Sequence, residues 1–309
     1  MLENIAKTLL SHDKIYIITH ENPDGDALGS SFALKYTLNN LGKESEVILN
    51  APLPVSFKFT GWKPLVWNEK LSTECVIGLD FNIIDRAGKS ADLFEKAKDK
   101  ILIDHHLGCE MSGPLIESRP EAAATGEIVY ELVKYLLSDC TKSIAEGIYI
   151  AIMTDTGGCR YSNTSSNTHR ILSEIIDKID HAYISRMALE IMSIEKLEIM
   201  KFALNNFEFY GNGEICAVSI NRSLMKNEDL LNGIVNMALN IDGVKAGVLF
   251  KERSEKEIKV SLRTIGDIDA RSVCSFFSGG GHKNAAGCTI NLPLIEAKKI
   301  FIDKLSERI

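Results

Sequence analysis

The 309-residue chain has no apolar run of about 18 or more residues, the length that a membrane-spanning helix requires. Its first residues show neither a basic segment nor an apolar stretch ending in small residues, so a cytoplasmic protein is expected. Cys-x-x-Cys pairs are missing too: the seven cysteines, at 75, 109, 140, 159, 216, 274 and 288, are odd in number and scattered. That pattern excludes a disulfide frame or a cysteine zinc cluster and reads as reduced thiols. Nor is there a basic surplus, with 42 Asp and Glu against 35 Lys and Arg. Coating a long nucleic acid by broad phosphate neutralisation is thereby disfavoured, although local basic sites remain open. Low-complexity tracts and internal repeats are also absent. The remaining composition, 45% hydrophobic and 25% charged, is that of an ordinary globular protein with material for about two domains.

The chain is organised around Ile15 to Ser30, where an apolar run ends abruptly in His20, Asp24 and Asp26. Ile15 to Thr19 is β-branched and aromatic, which suits a short buried strand with His20 at its carboxyl end. Pro23 and Gly25 imply a tight turn. From Asp26, the spacing of Leu28, Phe32, Tyr36, Leu38 and Leu41 predicts an amphipathic helix closed by Gly42. Open α/β sheets place ligands at such strand-to-helix corners. On these residues alone a metal site and a plain turn, with Asp26 as helix cap and Asp24 as turn residue, stand level.

Two further apolar runs end the same way. Cys75 to Leu79 leads into Asp80 with Asp85 and Arg86 after it, and Ile101 to Ile103 leads into Asp104, His105 and His106. A strand is also expected at Glu46 to Leu49. Helices are predicted over Ala122 to Leu137, with Thr125 and Glu127 as a cap region, and over a segment spaced by Ile144, Ile148 and Ile152 that delivers Asp155. A Gly-rich loop then leads to a helix carrying Ile171, Leu172, Ile175 and Ile176. Alternating strands and helices imply an α/β fold whose mostly parallel sheet has helices on both faces.

Ala182 to Tyr210 keeps a helical pattern until Gly211-Asn212-Gly213 breaks it. Beyond lie an expected strand at Ile215 to Ile220, a helix from Asp229 to Leu239, paired strands at Gly243 to Phe250 and Glu257 to Arg263, and a final helix from Leu294 to Leu305. This reads as a smaller α+β domain. The expected division is 1–185, a helical linker 186–210, and 211–309. The stretch Gly279-Gly280-Gly281-His282-Lys283 favours neither strand nor helix, but its backbone N–H groups could approach an anion closely.

With these blocks assembled, the sequence resembles the DHH phosphoesterase family over nearly its whole length. The blocks occur in order: His20-x-x-x-Asp24-x-Asp26, Asp80 with Asp85-Arg86, Asp104-His105-His106, and Asp155-Thr156-Gly157. The Gly279-Gly280-Gly281-His282 block is similar to the associated domain of the subfamily that includes bacterial nanoRNases and 3′-phosphoadenosine 5′-phosphate phosphatases. The resemblance implies two divalent cations. His20, Asp24 and Asp80 would hold one, and Asp26, Asp80, His105 and Asp155 the other. Donors that are all carboxylate or imidazole suit manganese best.

His106 would protonate the leaving oxygen or stabilise the transition state, and Asp104 would orient an imidazole. Substrate contacts are expected from Arg160, Arg263, Gly280, Gly281, His282 and Lys283. Position 159 is Cys where related sequences often carry an aromatic ring, which leaves a stacking role there in doubt. The implied reaction is hydrolysis of short oligoribonucleotides and 3′-phosphoadenosine 5′-phosphate by a metal-activated water. A linear or cyclic dinucleotide phosphodiesterase is the alternative enzyme, and a nucleotide-sensing or RNA-binding module the alternative without chemistry. Expected partners are short RNA or small nucleotides, with no membrane; a homodimer is compatible with the sequence.

Overall fold

The computed structural model describes every residue except 110, 112, 114, 225–227 and 232. The chain divides into two compact units, Met1–Ile191 and Met192–Ile309, and each has its own sheet. Among the described residues no helix is long and apolar enough to cross a membrane.

In the first unit, α1 (Leu2–Ser11) precedes β1 (Lys14–Thr19), α2 (Gly25–Asn40), β2 (Glu44–Leu49), β3 (Leu65–Val66), β4 (Cys75–Leu79), α3 (Ala91–Lys96), β5 (Asp99–Asp104) and β6 (Leu115–Ser118). Helices α4 (Thr125–Leu136), α5 (Lys142–Asp155), α6 (Ser166–Ile175) and α7 (His181–Ser185) complete it. The six strands lie in the order β3-β2-β1-β4-β5-β6, all parallel. From β1 the chain steps outward to β2, then returns to place β4 on the other side. The strand order therefore reverses between β1 and β4, where a crevice opens at the strands' carboxyl ends.

Side-chain alternation along the strands builds two cores. Ile15, Ile17, Ile77 and Ile101 pack with Leu28, Phe32, Val129 and Ile148 from α2, α4 and α5. Tyr16, Ile18, Val76 and Leu102 face the other way, onto Phe81, Ala87, Leu93 and Phe94. A strand buried on both sides must be apolar at every position, which is why these runs read as continuous. The segment after β2, whose role the sequence leaves unread, folds into a helical turn at Val55–Thr60 and stacks Trp62 on Phe32 at 4.6 Å between ring centroids.

The second unit contains α8 (Ile194–Asn205), β7 (Glu208–Tyr210), β8 (Ile215–Ile220), α9 (Ile234–Leu239), β9 (Ala246–Ser254), β10 (Glu257–Thr264), α10 (Ala270–Ser275), β11 (Gly280–His282), β12 (Ala285–Ile290) and α11 (Leu294–Ser306). Its sheet order is β11-β12-β10-β9-β8-β7, antiparallel except for the β8–β9 pair.

Three sequence expectations need correction. The helical stretch 182–210 is not continuous. It breaks at Ile191, whose backbone is extended; Ser193 caps a fresh helix by accepting from Lys196 N–H, and 208–210 pair with β8 as a strand. The helix expected from Asp229 begins only at Ile234, because Gly233 stands at φ +90° before it; part of its expected approach, residue 232, lies outside the described residues. The glycines at 280 and 281 do form a strand, since Gly280, Gly281 and His282 pair with Gly287, Ala286 and Ala285. Close backbone approach requires glycine there: a Cβ on Gly281 would lie 2.4 Å from the Ala285 carbonyl oxygen.

Candidate metal centre

Each of β1, β4 and β5 ends at the crevice, and the next residue or two turn a donor into it. His20 follows β1. Asp24 caps α2, its Oδ1 accepting from Asp26 N–H at 3.0 Å and Ala27 N–H at 3.1 Å. The turn reading of Asp24 and the cap reading of Asp26 thus exchange places: Asp24 is the cap, while Asp26 points elsewhere. Asp80 follows β4 at φ +67°, a left-handed conformation that few non-glycine residues adopt. That twist turns its carboxylate toward both flanking strands' donors.

Asp26 is 1% exposed, and its carboxylate closes the N-terminus of α4. Thr125 N–H donates to Oδ2 at 2.7 Å, Gly126 N–H to Oδ1 at 2.9 Å, and Ser30 Oγ to Oδ1 at 3.1 Å. The expected local cap at Thr125 and Glu127 is therefore not one. Glu127 instead accepts from Thr168 and Asn167, and the position before the helix is Ala124, which has no capping side chain. A carboxylate from α2 does that work, since the first amides of any helix need an acceptor from somewhere. Thr125 Oγ1 also donates to Asp80 Oδ1 at 3.0 Å. Thr125 and Gly126 are site residues that the sequence reading missed; the signal was a helix start with only Ala-Ala-Ala before it.

The imidazoles are oriented from behind. His105 Nδ1 donates to the Ala122 carbonyl at 3.2 Å, which leaves the Nε2 lone pair facing Asp80, Asp26 and Asp155 at 3.6, 3.7 and 3.7 Å. His106 Nδ1 donates to Asp104 Oδ1 at 2.7 Å. The other Asp104 oxygen is buried and has no hydrogen-bond partner among the described residues. His20 Nε2 lies 3.6 Å from Asp80 Oδ2 and 3.9 Å from Asp24 Oδ1. On the far side of His20, Glu21 N–H donates to the Arg86 carbonyl at 2.6 Å, which ties the Asp85-Arg86 turn to the crevice.

Two donor sets result, with atoms within 4.8 Å of one another: His20, Asp24 and Asp80, and Asp26, His105 and Asp155. Asp80 touches both, its Oδ2 toward His20 and its Oδ1 toward His105. His106 also falls within reach of Asp80 and His105, but the nitrogen concerned is already committed to Asp104.

Electrostatics show what such a cluster lacks. Burial, together with Asp80 and Asp155, raises Asp26 well above the usual carboxylate range, and burial with neighbouring carboxylates lifts Asp155 to about 6. Burial alone would lower His20, yet Asp24 and Asp80 override it and carry the imidazole up to about 9. His106 is likewise raised, its burial outweighed by Asp104 and Asp80. Crowded acids that resist ionisation and histidines that hold protons are groups in want of positive charge. An all-oxygen and imidazole donor set fits a hard or borderline divalent cation.

The remaining predicted residues fall into two places. Arg160 lies on the loop after Asp155, where its Nε donates to the Gly157 carbonyl at 2.6 Å. Arg263, Gly280, Gly281, His282 and Lys283 belong to the second unit. There Arg263 and His282 both pair with Ala285, which sets them in one row across the sheet. Lys283 Nζ is 3.4 Å from Asp267 Oδ1.

Comparison with known proteins agrees with this architecture. Residues 14–152 match the family described as DHH family, N-terminal domain, and residues 210–309 match the DHHA1 domain. The chain is 29% identical over 303 residues to a bifunctional oligoribonuclease and PAP phosphatase NrnA of Thermus thermophilus, covering 96% of this chain and 87% of that protein. It is 26% identical to the protein of the same description from Bacillus subtilis, covering 98% and 97%. Among solved structures, an exopolyphosphatase-related protein from Bacteroides fragilis is 31% identical with a TM-score of 0.90, over 99% of this chain and 95% of that one.

Proposed function

Because this chain belongs to the DHH family and carries a DHHA1 domain, we propose that it hydrolyses phosphoester bonds in very short RNA and in 3′-phosphoadenosine 5′-phosphate, using two divalent cations. One observation carries the reading: the two oxygens of Asp80 are turned toward donor sets of opposite flanks, a placement that would let it serve a cation on either side. His20 and Asp24 complete one set, and Asp26, His105 and Asp155 the other. Relatives described as oligoribonucleases and PAP phosphatases over nearly their full length support the substrate class.

The cations, manganese being best suited to the donors, would lower the pKa of an attacking water and neutralise phosphoryl oxygens. The chain's own side chains do the rest. His106 is held by Asp104 through Nδ1, its Nε2 has no partner among the described residues, and its raised pKa favours a proton there to give to the departing oxygen. Asp104 holds that ring's tautomer. Arg160, exposed on the loop after Asp155, offers its outer nitrogens to a phosphate, its Nε being engaged. Within the second unit, the glycine strand with His282 and Lys283 is our candidate for phosphate contact through N–H groups and charge.

Initial rates with manganese on a 5′-phosphorylated diribonucleotide, 3′-phosphoadenosine 5′-phosphate, a cyclic dinucleotide, pyrophosphate and a 24-mer test the proposal. The first two should be fastest. A faster cyclic dinucleotide or 24-mer would overturn the substrate class, and binding without turnover of any of them would make the protein a sensor.

A further inference from the structure

The loop that follows Asp155 carries an aromatic ring with no task in the chemistry above. Tyr161 is 51% exposed, and among the described residues its hydroxyl has no hydrogen-bond partner. Its ring lies against Gly157: a Cβ added there would sit 2.4 Å from Cζ and 2.6 and 2.7 Å from the two Cε atoms. Nearly equal distances to three ring atoms mean that the ring rests face-on over the glycine. With half of the residue exposed, ring surface away from the glycine is left to solvent.

The platform is fixed from below. Thr156, fully buried, donates through Oγ1 to Ile152 O at 2.6 Å and accepts Cys159 N–H at 3.0 Å, while its carbonyl accepts Arg160 N–H and Tyr161 N–H, each at 3.0 Å. Gly157, Gly158 and Cys159 stand at φ +58°, +74° and +62°, three successive left-handed residues that fold the loop back on itself. Asn163 Nδ2 then donates to the carbonyls of Ala123 at 3.0 Å and Asp155 at 3.2 Å, so the loop is tied to the backbone of a metal-site residue. Cys159 packs against the core of the unit. The exposed ring that position 159 lacks stands two residues later.

We propose that Tyr161 is a nucleobase platform: a base of the bound nucleotide stacks on the ring surface away from Gly157 while a phosphate of the same nucleotide lies at the metal centre. This deepens the phosphoesterase reading and rests on it. The ring suits a base because stacking needs only a flat, exposed π face held in advance, and every base has one. Arg160, anchored to Gly157 O beneath the ring, adds a cation next to the platform for the phosphate of the same ligand.

The test compares wild type, Tyr161→Ala and Tyr161→Phe on a 5′-phosphorylated diribonucleotide and on its counterpart with the bases replaced by hydrogen, with manganese present. Removal of the ring should raise KM for the base-bearing substrate roughly 5- to 150-fold with a much smaller change in kcat, as loss of one stacked base implies. The rise on the abasic substrate should be several-fold smaller, and Tyr161→Phe should recover most of the loss. Equal effects on the two substrates, or no effect on either, would overturn the platform while leaving the phosphoesterase reading intact. If wild type hydrolyses none of the phosphoesters tried, that reading fails first. Equilibrium dialysis of adenosine 5′-monophosphate with wild type and Tyr161→Ala then judges the ring by itself, and equal affinities would sink it.

Discussion

At the scale of single residues, Asp80 combines a left-handed backbone with a carboxylate divided between two donor sets. Conformations of that kind cost about 1–3 kcal/mol and persist where surrounding structure enforces them. Here the enforcement is visible: Asp80 N–H continues the sheet ladder to Ile103 O at 3.0 Å, and Thr125 Oγ1 holds one carboxylate oxygen. Asp80→Ala should abolish turnover and lower manganese content at both positions. Metal analysis of the dialysed variant checks this, and two ions retained per chain would remove Asp80 from the bridge. His106 separates chemistry from metal binding. His106→Ala should keep its manganese yet lose roughly 10²–10⁴ in kcat, the span of general acid catalysis. A p-nitrophenyl ester, whose leaving group needs no proton, should lose far less; equal losses on both esters would assign His106 an electrostatic role.

At the scale of elements, α2 and α5 pack so closely that a glycine of each faces the other's backbone. A Cβ on Gly29 would meet Gly147 O at 2.4 Å and Ala151 N at 2.7 Å. Both are main-chain atoms that cannot swing aside. Gly29→Val should therefore weaken folding by about 1–3 kcal/mol, the usual range for overpacking, read from urea unfolding. An unchanged midpoint would mean that the helices separate freely. The same elements explain what was legible beforehand. Strands β1, β4 and β5, buried on both faces, had to be written as unbroken apolar runs, and a polar residue ending each run had nowhere to point except the crevice. Their donors could be read from the sequence for that reason. The cap of α4 could not, because its acceptor, Asp26, stands about a hundred residues earlier, and only the tertiary fold joins them. The strand at Gly280 was hidden because its partner, not its own propensity, decides its conformation. The break near Ile191 was hidden because apolar spacing continues across it.

At the scale of the molecule, acids face one another across three strand ends at one crevice. The linkage has a definite sign. Asp155, raised to about 6, and His20, raised to about 9, both bind protons more tightly in the folded chain than in the unfolded one. Such groups contribute stability that is complete below their unfolded pKa values and lost as pH rises through the folded ones. For Asp155 the loss falls between about pH 4 and 6, and for His20 between about 6.5 and 9. The metal-free protein should therefore melt at a lower temperature at pH 9 than at pH 6, and manganese should shrink that difference. Adding manganese at pH 7 in weak buffer should also release protons, because His20 must give one up to become a ligand. A metal-free melting temperature that rises with pH over this range would contradict the assignment.

The union of Asp26 with the first amides of α4 has a further consequence, in time rather than in space. All six strands of the first sheet are present in a chain that ends at Ser118, but the donors at Thr125 and Gly126 are not. Such a nascent chain can hold a sheet but no centre, since its acids would meet without the helix terminus that restrains one of them. Closing a loop of 99 residues comes late in folding, because distant contacts form only after their entropy cost is met. The two amide hydrogens at 125 and 126 are thus a clock for the assembly: when they cease to exchange with solvent, the centre has closed.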